Sequence, residues 1–167
     1  MITVVIPYYQ RSPGVLRKAL ASIAAQQGCL VPVHVIVVDD ASPAPACPEL
    51  AAAPPMPHSV QVIVQPNAGP GAARNTGMDN ASPETRYIAF LDSDDEWMPD
   101  HLARAVAALE GGYDFYFADH YQLDQTTSAF VRAGRIQVNE HPLLPTPIGC
   151  LHAYQGDMLD QFMRGNL

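Results

Sequence analysis

The sequence predicts an α/β domain with a mostly parallel sheet flanked by helices, wound in the nucleotide-binding manner. Three observations carry that reading. Short continuous apolar runs rich in β-branched residues recur at Ile2–Ile6, Val33–Val38, Val60–Val64 and from Tyr87 to Leu91, the pattern of strands buried on both faces. Segments with helical spacing separate them, and alternation of the two element types is how parallel sheets are covered. Two of the runs end in clustered aspartates, Asp39-Asp40 and Asp92-Ser93-Asp94-Asp95, and open α/β sheets bind ligands beyond the carboxyl ends of their strands.

Taken in order, the first run is stopped by Pro7-Tyr8-Tyr9, and Ser12-Pro13 offers a helix N-cap with proline at the first position. Leu16, Ala19, Leu20, Ile23 and Ala24 then mark one buried helical face, closed by Gly28. With Val33–Val38 this makes a βαβ unit whose crossover is right-handed. Prolines crowd the passage from Pro43 to Pro57 and predict a stiff surface loop, with at most one short helix around Glu49–Ala53. The third strand, Val60–Val64, leads through a turn-rich loop into a helix over Ala72–Ala81. The fourth strand starts at Tyr87, and a helix over Pro99–Glu110 turns Leu102, Val106 and Leu109 inward. Gly111-Gly112 ends it, and Tyr113–Ala118 is expected as a fifth strand. Beyond Asp119 the periodicity weakens. Gln125–Asn139 has room for two edge strands, His141–Pro147 reads as a loop, and Gly156–Arg164 reads as a helix.

With 167 residues, 48% of them hydrophobic, the chain has material for one real core. A formal net charge of −8 argues against a nucleic-acid groove or a polybasic membrane patch. Cys29, Cys47 and Cys150 form no CxxC pair and read as reduced thiols of a cytoplasmic protein. Pro7 and then Gln10-Arg11 break the first apolar run, so it does not read as a signal peptide. No run is long enough to span a bilayer. The cytoplasm is the expected location, compatible with peripheral association with the inner membrane.

The chemistry concentrates at the strand ends. Asp92, Asp94, Asp95 and Glu96 crowd five residues, and carboxylates so close repel one another unless a cation sits among them. Hard oxygen ligands in that position suit Mg²⁺ or Mn²⁺ held together with substrate phosphates; the competing reading is an acidic turn into a helix starting at Pro99-Asp100. At Asp39-Asp40 a carboxylate can accept from a ribose hydroxyl or from the imide N–H of a uracil-type base, with a tyrosine of Pro7-Tyr8-Tyr9 stacking on the base. The competing reading there is a turn in which Asp and Ser cap local backbone. The loop Asn67-Ala68-Gly69-Pro70-Gly71-Ala72-Ala73-Arg74-Asn75 lacks the Gly-Lys-Ser/Thr ending of a Walker loop and keeps only two glycines of a dinucleotide fingerprint. It offers a glycine turn into a helix with Arg74 one turn in, where an arginine can balance a diphosphate. Otherwise it is a plain loop–helix junction with a surface arginine.

Four blocks stand in order: Val4-Val5-Ile6-Pro7-Tyr8-Tyr9, Val37-Val38-Asp39-Asp40-Ala41-Ser42, the loop Asn67–Asn75, and Ala89-Phe90-Leu91-Asp92-Ser93-Asp94-Asp95 with Met98-Pro99. Together, over residues 1 to about 118, they resemble the family 2 glycosyltransferases of GT-A fold. Bacterial exopolysaccharide glucosyltransferases, including those of succinoglycan assembly, are nearest in wording. The resemblance implies a UDP-sugar donor such as UDP-glucose and a glycan or lipid-linked sugar acceptor. Asp40, with Asp39 beside it, would hold the uracil, and Asp92 would reach the ribose. Asp94, with Asp92 near, would ligate Mn²⁺ or Mg²⁺ on the diphosphate, while Arg74 faces the donor and Pro7, Tyr9 and Ser93 complete its wall. The expected chemistry is a metal-assisted, inverting displacement with a general base deprotonating the acceptor hydroxyl.

The resemblance places that base on the acceptor side, where it is expected beyond Leu167; residues 1–118 are expected as the donor core and 119–167 as the start of an acceptor-side region cut short. Asp119, with His120 beside it, and Asp157 are the weak candidates within the chain; Glu140 and Asp160 read as solvated surface acids. Two other functions compete: a fragment that binds donor and metal without transfer, and a phosphohydrolase of the haloacid dehalogenase type, which Leu91-Asp92-Ser93-Asp94 superficially resembles. The latter family carries its nucleophilic aspartate after the first strand, whereas this cluster follows the fourth.

Overall fold

The computed structural model describes residues 1–53, 55–134, 143–149 and 151–154. They fall into two compact units, Met1–Ala103 and Arg104–Leu167.

The first unit carries β1 (Ile2–Tyr8), α1 (Leu16–Ala24), β2 (Val33–Asp39), α2 (Ala46–Ala51), β3 (Ser59–Val64), α3 (Pro70–Asp79) and β4 (Tyr87–Phe90). Its strands are all parallel, in the order β3-β2-β1-β4. Register aligns Ile2 with Val33 on one side and with Tyr87 on the other. The chain therefore builds outward from β1 through β2 to β3, then returns to the far side of β1 for β4. Strand order reverses beside β1, and that reversal opens a crevice at the carboxyl ends.

Continuous apolar sequence forms β1 and β2 because both faces are covered. Val4, Val5, Ile6, Val35, Ile36, Val37 and Val38 have no exposed surface, and each such side chain contributes roughly 1.5–3 kcal/mol of burial. Ile36 and Val38 pack with Ala73 of α3 and Ile63 of β3. α3 also approaches β1 closely: a Cβ built on Gly77 would stand 2.3 Å from Val5 Cγ1. On the other side α1 buries Leu16, Ala19, Leu20 and Ile23, as its spacing predicts.

Three expectations need correction in this unit. Ser12-Pro13 does not start α1; bends occupy residues 11–15, Gly14 takes φ +108°, and the helix begins at Leu16. Its first N–H is satisfied from outside, by Glu49 Oε2 of α2 at 3.1 Å, which also sets a negative charge at the helix N-terminus. The short helix α2 lies three residues earlier than its composition suggested. β4 is not buried on both faces, since Ile88 and Phe90 are 37% and 44% exposed and the strand pairs only with β1 among the described residues.

α4 (His101–Glu110) begins in this unit, where Leu102 is buried and its N–H is accepted by Gln26 Oε1 at 2.8 Å.

In the second unit the Tyr113–Ala118 run forms no strand. No ladder partner for it exists among the described residues, and apolar sequence becomes a strand only when paired. Phe115, Phe117 and Phe130 instead form a chain of rings 6.0 and 5.9 Å apart. Part of the predicted edge-strand region is a short helix, α5 (Ala129–Arg132), capped by Ser128, because a Ser hydroxyl before an apolar run satisfies a first-turn N–H. The predicted loop at 141–147 holds β5 (Leu143–Pro145), antiparallel to β6 (His152–Tyr154). The helix read over 156–164 lies outside the described residues.

Candidate active site

At the carboxyl edge of the sheet a cleft of about 490 Å³ opens, all within the first unit. That volume falls in the range of small-molecule sites. Its walls are Pro7 to Gln10 after β1, Asp40 after β2, the Asn67–Arg74 loop and first turn of α3, and Asp92, Ser93 and Asp94 after β4. Pro7, Tyr9, Asp40, Arg74, Asp92, Ser93 and Asp94, which the four motifs single out, thus come together at one place.

Asp39 does not line the cleft. It is buried, and its oxygens accept from the Ser42 N–H and from the Ala46 N–H, each at 2.8 Å. The second bond caps the first turn of α2. Between these groups Ala41 takes φ 56°, a left-handed conformation uncommon for a non-glycine residue and concentrated at functional turns.

Asp40 points the other way. Its Oδ1 accepts from the Ala68 N–H at 2.9 Å and Gln65 Nε2 at 2.7 Å, and its Oδ2 from the Gly69 N–H at 2.8 Å. Burial alone pushes its carboxyl up, but the hydrogen bonds from Ala68, Gln65 and Gly69 outweigh it and hold the pKa below its ordinary value. Asn67 Nδ2 donates to the Asp40 carbonyl at 3.0 Å, so this one residue organises the whole glycine loop. Gly69 sits at φ +88°, which explains the glycine, and Pro70 follows at the start of α3 with its fixed φ.

On the opposite wall Arg74 Nη2 donates to Asp92 Oδ1 at 2.5 Å, with both side chains partly exposed. Asp94 is exposed and makes no hydrogen bond or ion pair among the described residues. No group of three or more His, Cys, Asp or Glu stands close enough to cage a metal among the described residues. A hard divalent cation bound through one or two carboxylates and substrate phosphates needs no such cage. The all-oxygen pair Asp92 and Asp94 fits that mode.

Tyr9 is 47% exposed at the cleft, whereas Tyr8 is buried, its hydroxyl held by Glu49 Oε1 at 2.7 Å. Burial first, then the hydrogen bond and charge of Glu49, push the Tyr8 phenol up. Of the acceptor-side candidates, Asp119 Oδ1 accepts from the His120 and Phe130 N–H groups at 2.8 and 3.0 Å. Asp157, Glu140 and Asp160 lie outside the described residues. Gln10 also lines the cleft, a residue that motif reading passes over because a lone glutamine carries no signal of its own.

The sequence model described as glycosyl transferase family 2 matches residues 3–161. The chain belongs to this family. Its fold is GT-A, shared with S. aureus TarS; the crystal structure of TarS in complex with UDP-GlcNAc superposes with a TM-score of 0.55 at 26% identity, covering 66% of this chain and 31% of that one. Among curated family relatives, the succinoglycan biosynthesis protein ExoW of Rhizobium meliloti is 50% identical over 129 residues, which are 70% of this chain and 40% of ExoW. The succinoglycan biosynthesis protein ExoO of the same organism is 44% identical over 105 residues, 63% of this chain and 28% of ExoO. The family 2 chain described here therefore spans less than half the length of these relatives. No helix among its described residues is long and apolar enough to cross a membrane.

Proposed function

We propose that the cleft binds a UDP-sugar and that the protein transfers the sugar to a glycan or lipid-linked acceptor in polysaccharide synthesis. The observation that carries this reading is the convergence of Asp40, Arg74, Asp92 and Asp94 on one cleft beside β1. Membership of family 2, likeness to a structure holding UDP-GlcNAc and identity to two succinoglycan biosynthesis proteins support it.

In this reading Asp40 and its loop receive the uracil and Tyr9 covers the base. Asp92 reaches the ribose. Arg74, presented by the first turn of α3, faces the diphosphate, and the positive end of that helix adds to its field. Asp94, with Asp92 near, would hold Mn²⁺ or Mg²⁺, which when bound offsets the charge gathering on the leaving nucleoside diphosphate. Residues 119–167 are taken as the start of the acceptor side; a general base of that side, not assigned to any residue of this chain, takes the proton of the attacking hydroxyl. The work belongs in the cytoplasm, where nucleotide-sugars are available, and is compatible with the cytoplasmic face of the membrane.

A thermal-shift panel of nucleoside diphosphates and UDP-sugars, with and without Mn²⁺, tests the reading. A donor bound at 100 times its dissociation constant stabilises the fold by about 2.7 kcal/mol. UDP-sugars should raise the midpoint in a Mn²⁺-dependent way and GDP-mannose should not. Asp94→Ala should remove the Mn²⁺ dependence, and Asp40→Ala should weaken UDP binding. Equal shifts with every nucleotide would refute the uracil role.

A further inference from the structure

Gln10 stands two residues past the end of β1 and joins two loops that are remote in sequence. Its main chain is fastened to the loop after β2. The Gln10 N–H donates to Ser42 Oγ at 2.5 Å, the Ser42 hydroxyl donates to the Gln10 carbonyl at 2.8 Å, and the Ala44 N–H donates to the same carbonyl at 2.9 Å. Its side chain reaches the other way, Nε2 donating to Ser93 Oγ at 3.0 Å. Ser93 is buried between the two cleft aspartates Asp92 and Asp94, and Gln10 is the only partner of its hydroxyl among the described residues.

The two loops differ in how they are held. The Asp39–Ser42 loop is fixed by both carboxylates, each accepting from backbone N–H groups of its surroundings. The Asp92–Asp94 loop has a backbone turn of its own, from the Asp95 N–H to the Asp92 carbonyl, and the exposed Arg74–Asp92 pair. Among the described residues, the side-chain link from this loop to the Asp40 side of the cleft is the part-buried Gln10–Ser93 bond. An unsatisfied buried hydroxyl is costly, so the bond holds Ser93, and with it the carboxylates on either side, at a fixed distance from the Asp40 loop.

We propose that Gln10 is a positioning residue that sets the spacing between the Asp40 loop and the Asp92–Asp94 loop, so that the two ends of a nucleoside diphosphate are gripped together. This rests on the donor reading given above. Gln10 acts through Ser93, and its loss should leave base binding intact while weakening the grip on the metal–diphosphate end.

The test is titration calorimetry with two ligands, UMP without metal and UDP with Mn²⁺, and thermal melts alongside. Gln10→Leu deletes the amide while keeping most of the volume, and Ser93→Ala removes the same bond from the other side without placing new bulk. UMP affinity should stay within about twofold of wild type in both variants. Affinity for UDP with Mn²⁺ should fall about five- to tenfold in each, the range expected for one hydrogen bond. The double variant should fall no further, because both changes remove one interaction. Equal losses of both ligands, no loss of either, or losses that add in the double variant would each overturn the inference. If wild type itself fails to bind UDP with Mn²⁺, the donor reading falls and this inference with it; if wild type binds and both single variants match it, this inference falls alone.

Discussion

Arg74 Nη2 lies 2.5 Å from Asp92 Oδ1 across the mouth of the cleft, joining the first turn of α3 to the loop after β4. Both side chains are partly exposed, 33% and 49%. A pair so placed is screened by water and contributes at most about 1 kcal/mol to stability. Its worth lies in the field it creates, since Arg74 is a cation among the cleft carboxylates of an acidic chain.

Arg74→Ala should therefore separate stability from binding. The thermal midpoint should stay close to wild type, while affinity for UDP with Mn²⁺ falls about tenfold. The wild-type affinity should also weaken with added salt more steeply than that of the variant. A midpoint that collapses in Arg74→Ala would make the pair structural rather than functional.

Gly77 is a point of close approach between α3 and β1, with Val5 Cγ1 2.3 Å from where a Cβ would be. Gly77→Ala should destabilise the fold by about 1–3 kcal/mol through overpacking, read as a lower midpoint in denaturant. Val5→Ala in the same chain should restore part of the loss, because it clears the space the new methyl needs. Two independent penalties that simply add would contradict the packing argument.

The legible part of this molecule was its buried half. β1 and β2 announce themselves because a strand covered on both faces must be apolar throughout, and the motif aspartates fall where parallel strands release the chain. What could not be read depends on contacts distant in sequence. Ser12-Pro13 has every local mark of a helix start, yet the cap of α1 is Glu49, which a reading of neighbours does not supply. The same is true of Asp39 and Asp40, adjacent and chemically identical, one capping α2 and the other holding the glycine loop. Tyr113–Ala118 has strand composition and joins no ladder of the described residues, and β4 has strand composition with a face left half open.

Glu49 links three elements, with Oε1 accepting from the Tyr8 hydroxyl at the end of β1 and Oε2 from the Leu16 N–H at the start of α1. It is 4% exposed. Glu49→Ala should cost about 1–3 kcal/mol, because it leaves the buried Leu16 N–H without its acceptor and the Tyr8 hydroxyl with the Ala44 carbonyl alone. Glu49→Gln retains one acceptor and should cost less than the alanine variant. Chemical denaturation of the three proteins checks the ranking, and a neutral Glu49→Ala would deny the carboxylate its structural role.

His101, the first residue of α4, stacks on Trp97 with ring centroids 4.5 Å apart and planes 13° apart. Burial disfavours the imidazolium and pushes the pKa down to about 4, although the nearby Asp100 charge opposes the shift. The sign follows from proton counting. Between the ordinary value of 6.5 and about 4 the unfolded chain holds a proton that the folded chain lacks, so unfolding takes up a proton and stability rises with pH. Stability from this site is fully present above 6.5 and is lost as the pH falls toward 4. Melts taken from pH 7 down to pH 4.5 should show wild type losing stability faster than His101→Phe, which keeps an aromatic ring against Trp97 but cannot titrate. Parallel curves for the two proteins would mean that His101 titrates alike in the folded and unfolded chains, and the acid sensitivity would then belong to other groups.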